Sequence, residues 1–133
     1  METKFNKQET IKLIEEYYEK LEGRKVSVTI TSKVGCIGLY ETKGCITNVV
    51  VNESMEIAGM NKSVSYNLSS DDVSKSITAV LDLYGLTATS VSLDDGISSR
   101  CEGYGMAEHM VDKAYCNGVV VRLEKKKNVV YKK

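Results

Sequence analysis

The stretch from Asp94 to Gly118, DDGISSRCEGYGMAEHMVDKAYCNG, holds the only histidine of the chain, His109, and two of its four cysteines, Cys101 and Cys116. Three chemistries are open to such a set. The first is a metal site, with Cys101, His109 and Cys116 as ligands and Cys36 or Cys45 as a fourth. The second is a cysteine nucleophile with His109 as its base, which needs thiol and imidazole within hydrogen-bond reach. The third is an anion site. Ser98, Ser99 and Arg100 lead into Gly103-Tyr104-Gly105, and from there into what reads as a helix from Met106 to Cys116. Free backbone N–H groups at a helix start favour a negative charge, and glycines allow it close approach.

Spacing decides among them. On a helix, His109 and Cys116 point the same way but stand about 10.5 Å apart along the axis, too far for zinc bonds of about 2.0–2.3 Å. The cysteine spacings match no zinc pattern, and no GxSxG, P-loop or HExxH motif occurs. Asp94-Asp95 followed by Gly96 reads as a turn before it reads as an acid/base pair. We therefore expect no catalytic residue, metal or cofactor. The expected ligand-binding residues are Ser98, Ser99, Arg100, Gly103, Tyr104 and Gly105, for a small anionic, nucleotide-like ligand. On the helical wheel Glu108, His109, Asp112 and Lys113 fall on the polar half, which makes them the expected contact surface for a partner protein.

The elements that position this stretch follow from periodicity. Asn6 and Glu9 form a capping box for a helix from Lys7 to Glu22, with Ile11, Ile14, Tyr18 and Leu21 on one face and Gly23 as its left-handed cap. From Lys25 the period falls to 2, and Val26, Val28 and Ile30 mark a strand broken at Gly35. Further strands are expected over Cys36–Thr42, after a turn at Lys43-Gly44 over Cys45–Asn52, at Met55–Ala58, and through Val64, Tyr66 and Leu68. Ser69 and Asp72 cap a second helix with a stripe of Val73, Ile77, Val80, Leu81 and Tyr84, ended by Gly85. Strands at Leu86–Leu93 and Val119–Leu123 flank the opening stretch, and Asn128–Tyr131 would extend the sheet at an edge.

If those flanking strands are parallel, the loop lies at the carboxyl edge of the sheet, where α/β proteins bind ligands. If instead Asp95-Gly96 closes a hairpin between Val91–Leu93 and Ile97–Arg100, the anion loop is shorter. The expected fold is α+β, in the order α-β-β-β-β-β-α-β-α-β. A leading helix packs on one mainly antiparallel sheet of five to seven strands, with two further helices, all in a single domain of residues 1–133.

The totals bound the function classes. The chain has 133 residues, 18 Lys plus Arg and 18 Asp plus Glu. That balance gives no bulk field for nucleic acid or an anionic membrane. The first twenty residues are polar, and no apolar run reaches membrane-spanning length, so a cytoplasmic protein with free cysteines is expected. Residues 21–51 nonetheless resemble Sm-like RNA-binding barrels, because a helix leads into LEGRKVSVTI and Gly38, Tyr40, Gly44 and Asn48 keep that family's spacing. Gly44 stands where the family has aspartate, and its arginine-glycine pair is absent from Ser54–Leu68. The resemblance implies a single-stranded RNA-binding barrel as one alternative, and a Cys/His-dependent enzyme is another. The primary expectation is a non-enzymatic binding or modulator protein, of the kind that phages and mobile elements encode, for a partner protein or a small anion. A homo-oligomer is compatible with this reading.

Overall fold

The computed structural model describes residues 1–37, 42–103, 105 and 109–124. The order is β1 (Glu2–Asn6), α1 (Lys7–Glu22), β2 (Val26–Ile37), β3 (Thr42–Ile57), β4 (Met60–Leu68), α2 (Ser70–Leu83), β5 (Thr87–Glu102) and β6 (His109–Glu124). The strands form two antiparallel three-stranded sheets, ordered β1-β6-β5 and β2-β3-β4. This corrects the expected single sheet of five to seven strands with three helices.

Both helices start where the sequence places them. The Asn6 side chain accepts from Glu9 N at 2.8 Å while Glu9 accepts from Asn6 N at 2.9 Å, and Gly23 closes α1 at φ +72°. The same box joins Ser69 and Asp72 at the start of α2. Two residues of the expected apolar stripes face outward instead. Leu21 is 63% and Tyr84 65% exposed, and the Tyr84 hydroxyl donates to the Glu16 carboxylate of α1 at 3.0 Å.

The third helix expected over Met106–Cys116 is absent. His109–Cys116 belong to β6, and residues 106–108 lie outside the described part. The segment has a helical spacing, with Met110-Val111 and Ala114-Tyr115 on either side of Asp112-Lys113, and strand pairing overrides it. Its ladder with β5, from Thr87↔Glu124 to Glu102↔His109, satisfies the backbone that a helix would have satisfied internally. β5 and β6 are antiparallel neighbours, so the parallel-crossover argument fails with the helix. Asp95 and Gly96 are not a hairpin turn either; they pair with Cys116 and Tyr115 inside the strand. In the other sheet, Gly35 and Lys43-Gly44 do not interrupt the chain, since Gly35 pairs with Gly44 and Cys36 with Lys43. Met55–Ile57 continue β3 rather than forming a separate strand, and the turn to β4 is Ala58-Gly59, with φ of +52° and +80°. The expected edge strand Asn128–Tyr131 lies outside the described residues.

One buried cluster joins the layers. It contains Ile14 and Tyr18 of α1, Val26, Val28 and Ile30 of β2, Val49 and Val51 of β3, Val73, Ile77 and Leu81 of α2, and Val119 and Val121 of β6. Each such side chain contributes roughly 1.5–3 kcal/mol on burial. No helix among the described residues is long and apolar enough to cross a membrane.

β1, which the sequence reading missed, is fixed by Gly118. Gly118 pairs with Asn6 at φ +122°, and a Cβ there would run into the Phe5 carbonyl oxygen and the Asn6 backbone. Gly118→Ala is therefore expected to destabilise the fold by at least about 2 kcal/mol, from backbone strain and lost β1–β6 pairing. Thermal and urea denaturation read this directly, and a melt within a degree of the parent's would show that the approach is not tight.

Candidate functional site

The β2–β3 and β5–β6 hairpins run on beyond the apolar cluster, and their facing rows turn polar as they do so. Alternate residues of β3 share a face, so buried Val51 and Val49 are continued by Thr47, Cys45 and Lys43. On β5 and β6 the row of Leu93 and Val119 continues through Asp95↔Cys116 and Ile97↔Ala114 to Ser99↔Asp112. A bulge lies between the apolar and polar halves, where the pairing steps from Leu93↔Val119 to Asp95↔Cys116. Bulges bend a strand and re-aim the side chains beyond them.

Hydrogen bonds cross between the hairpins along this row. Lys43 Nζ lies 3.1 Å from Asp112 Oδ2, and Ser99 Oγ donates to Asp112 Oδ1 at 2.5 Å. Further in, Thr47 Oγ1 donates to Asp95 Oδ2 at 2.5 Å. A hydroxyl has a single proton to give, so Ser32 Oγ, 2.9 Å from Thr47 Oγ1, is the donor in that pair. Ser32, Thr47 and Asp95 thus form a directed chain across both sheets. The Cys45 thiol lies 3.6 Å from the Tyr115 carbonyl oxygen, a third crossing between the hairpins. Tyr115 itself lies across Gly96, where a Cβ would meet its hydroxyl at 2.8 Å.

The ionisation states follow from these contacts. The Ser99 hydroxyl and then the Lys43 ammonium hold the Asp112 carboxyl below its ordinary value. Burial pushes the Cys116 thiol up, and the neighbouring Asp95 adds to the rise. A nucleophilic cysteine needs the opposite shift. The paired use of Cys116 and His109 also fails on distance, since seven residues of strand span about 23 Å. Among the described residues no three His, Cys, Asp or Glu side chains are grouped to hold a metal.

The structure redistributes the sequence-derived candidates. Ser98, Ser99 and Arg100 lie in β5, not in a loop. Gly103 and Gly105 stand between β5 and β6 at φ +97° and +56°, while Tyr104 and Glu108 lie outside the described residues. Among the described residues no helix N-terminus faces the glycines. His109, Asp112 and Lys113 are in β6. Adjacent strand residues point to opposite faces, so Asp112 and Lys113 do not share the surface expected of them. Asp112 turns to Ser99 and Lys43, and exposed Lys113 pairs in register with exposed Ser98. The sequence reading missed Ser32, Lys43, Cys45, Thr47 and Asp95. Their signal was the alternation Lys43-Cys45-Thr47 continuing Val49 and Val51, which the assumed turn at Lys43-Gly44 hid.

Because Asp112 has a lowered folded-state pKa, its contribution to stability is complete above the ordinary carboxylate value of 3.8 and is lost as pH falls through the lower folded value. Asp112→Asn is expected to melt below the parent at neutral pH, with the gap closing as pH is taken below 3.8. Melting curves from neutral to strongly acidic pH check the sign, and a gap that widens in acid would contradict the assignment. No protein family, curated protein or solved structure matches the chain.

Proposed function

We propose that the chain is a non-enzymatic binding or modulator protein that engages a partner protein through the joined outer halves of its two long hairpins. The observation that supports this reading is the inter-hairpin bonding itself, Lys43 to Asp112, Thr47 to Asp95 and Cys45 to the Tyr115 carbonyl. These bonds commit the reactive-looking groups to one another and hold two strand pairs in one arrangement beyond the core. A surface ordered before it meets its partner loses less entropy on binding. The outward residues of this surface include Ser98, Lys113 and Tyr115, and the latter is 40% exposed. Tyrosine gives a large contact area at low entropic cost, which suits it to interfaces.

A small anionic ligand is the second reading. It is favoured by exposed Ser98 and exposed Lys113 standing opposite each other in register, with Arg100 two residues further along the same strand. The Sm-like RNA-binding and Cys/His enzyme alternatives have no such observation behind them.

Affinity capture from cells of the protein's own source separates the readings, comparing the parent with Ser98→Glu/Lys113→Glu and with Leu83→Ser on the exposed end of α2. A protein captured by the parent and by the α2 variant but lost with the hairpin variant is the expected result. Capture that ignores the hairpin substitutions while Leu83→Ser abolishes it would place recognition on the helices and overturn the proposal. For the anion reading, nucleotides or inorganic phosphate should raise the melting temperature of the parent and leave Arg100→Ala unmoved. An equal rise in both would remove the anion reading.

A further inference from the structure

We propose that β4 is a self-association edge, along which two copies of the chain pair antiparallel about a twofold axis at Val64. The two β2-β3-β4 sheets would then become one six-stranded sheet. This inference is independent of the hairpin reading above.

The first support is how the other edges are treated. An unpaired strand edge invites another chain, and proteins blunt edges with charge, bulges, short strands or a covering element. On β2, α1 supplies the cover, as the Glu15 carboxylate accepts from Val28 N at 3.0 Å and the Glu19 carboxylate from Val26 N at 3.4 Å. β1 is only five residues long. β5 carries two register shifts, between Ala88 and Ser90 and between Leu93 and Asp95, and α2 packs along it. β4 has one of these devices, the charge of Lys62, and among the described residues neither a bulge nor a covering element. Its nine residues pair with β3 in unbroken register from Val49↔Leu68 to Ile57↔Met60, and among the described residues its backbone bonds only to β3.

The second support is the sequence of β4, MNKSVSYNL, which reads almost the same from either end. Antiparallel pairing centred on Val64 engages all nine residues. It sets Asn61 against Asn67 and Ser63 against Ser65 of the second copy on the outer face, both favourable hydrogen-bonding pairs. On the other face Lys62 meets Tyr66, and Met60 meets Leu68. A parallel pairing would instead stack Lys62 on Lys62. Twofold interfaces require this kind of self-complementarity, in which residue i meets j and j meets i. Met60, 51% exposed in the single chain, is the large apolar group that the pairing would cover.

Sedimentation velocity over a wide concentration series tests the proposal, together with two double variants at exposed outer-face positions. The parent should approach twice the monomer mass. S63E/S65E places like charges opposite one another at both serine pairs and should weaken association roughly tenfold or more. S63E/S65K places opposite charges in the same register and should restore it. A parent that stays monomeric throughout overturns the proposal. So does a dimer that S63E/S65E leaves as tight as the parent, or one that S63E/S65K weakens as much as S63E/S65E does. Circular dichroism melts of both variants show that the fold is kept.

Discussion

Gly118 sits where three requirements meet, and much of the molecule is arranged around them. It is in β6, the central strand of its sheet, directly opposite Asn6. Asn6 is at once the last residue of β1 and the N-cap of α1, so the closeness of β6 to β1 sets where the helix begins. Thr10, fully buried in the first turns of α1, repeats the tie through its hydroxyl, which lies 2.8 Å from the Asn6 carbonyl and 3.2 Å from that of Phe5. From that fixed start, α1 lays Ile14 and Tyr18 into the core and Glu15 and Glu19 onto the edge of β2. Beyond Gly118 in the other direction, the bulge against Asp94 marks the passage from the apolar to the polar half of the β5–β6 hairpin. Any side chain at this position would push apart the element that starts the helix and the strand that centres the sheet.

The polar half is the part on which the proposed function rests. A buried or half-buried carboxylate is tolerated only when its oxygens are bonded. Asp112 meets that condition at both oxygens, through Lys43 of the other hairpin and Ser99 of its own, and Asp95 at one, through Thr47 of the other hairpin. Had the row between the hairpins been apolar throughout, the same strands would simply have extended the core. Directional bonds between Thr47 and Asp95 and between Lys43 and Asp112 instead select one relative placement of the two hairpins, since a shift along either strand breaks them. That is the physical content of calling the surface preorganised.

What was legible in the sequence tracks how local the determining physics is. Both helices declared themselves through capping boxes, because Asn6 with Glu9 and Ser69 with Asp72 act within one turn. The strands of the central meander showed through period-2 alternation at Val26-Val28-Ile30 and Val64-Tyr66-Leu68. The segment from His109 to Cys116 fails because its apolar pairs, Met110-Val111 and Ala114-Tyr115, follow a helical spacing, and only its pairing with β5 makes it a strand. β1 failed for the same reason, since its five residues become a strand by pairing with β6 more than a hundred positions away. The candidate residues inherited the error. Asp112 is expected on a helix face, whereas its actual partners, Ser99 and Lys43, come from other strands, and Lys43 has no local mark.

Polar residues at both ends of the buried row of β3 also explain why a valine-rich strand holds a single register. Val49 and Val51 are almost fully buried, and Val50 between them is half-buried, so apolar content alone distinguishes the two faces poorly. At one end Thr47 is tied to Asp95; at the other Glu53 is buried, with Arg24 Nε 3.6 Å from its Oε2. Neither that oxygen nor the nearby Tyr66 hydroxyl has a hydrogen-bond partner among the described residues, and burial, followed by the Glu53 charge, pushes the Tyr66 phenol above its ordinary value. A slip by one residue would turn Asn48 and Asn52 inward. A slip by two would keep the valine face but carry Glu53 into the fully buried place of Val51, away from Arg24, where an unpaired carboxylate costs several kcal/mol. Glu53 therefore contributes more against the alternative registers than for the native one. A strand held this firmly gives β4, its neighbour, a fixed edge to present.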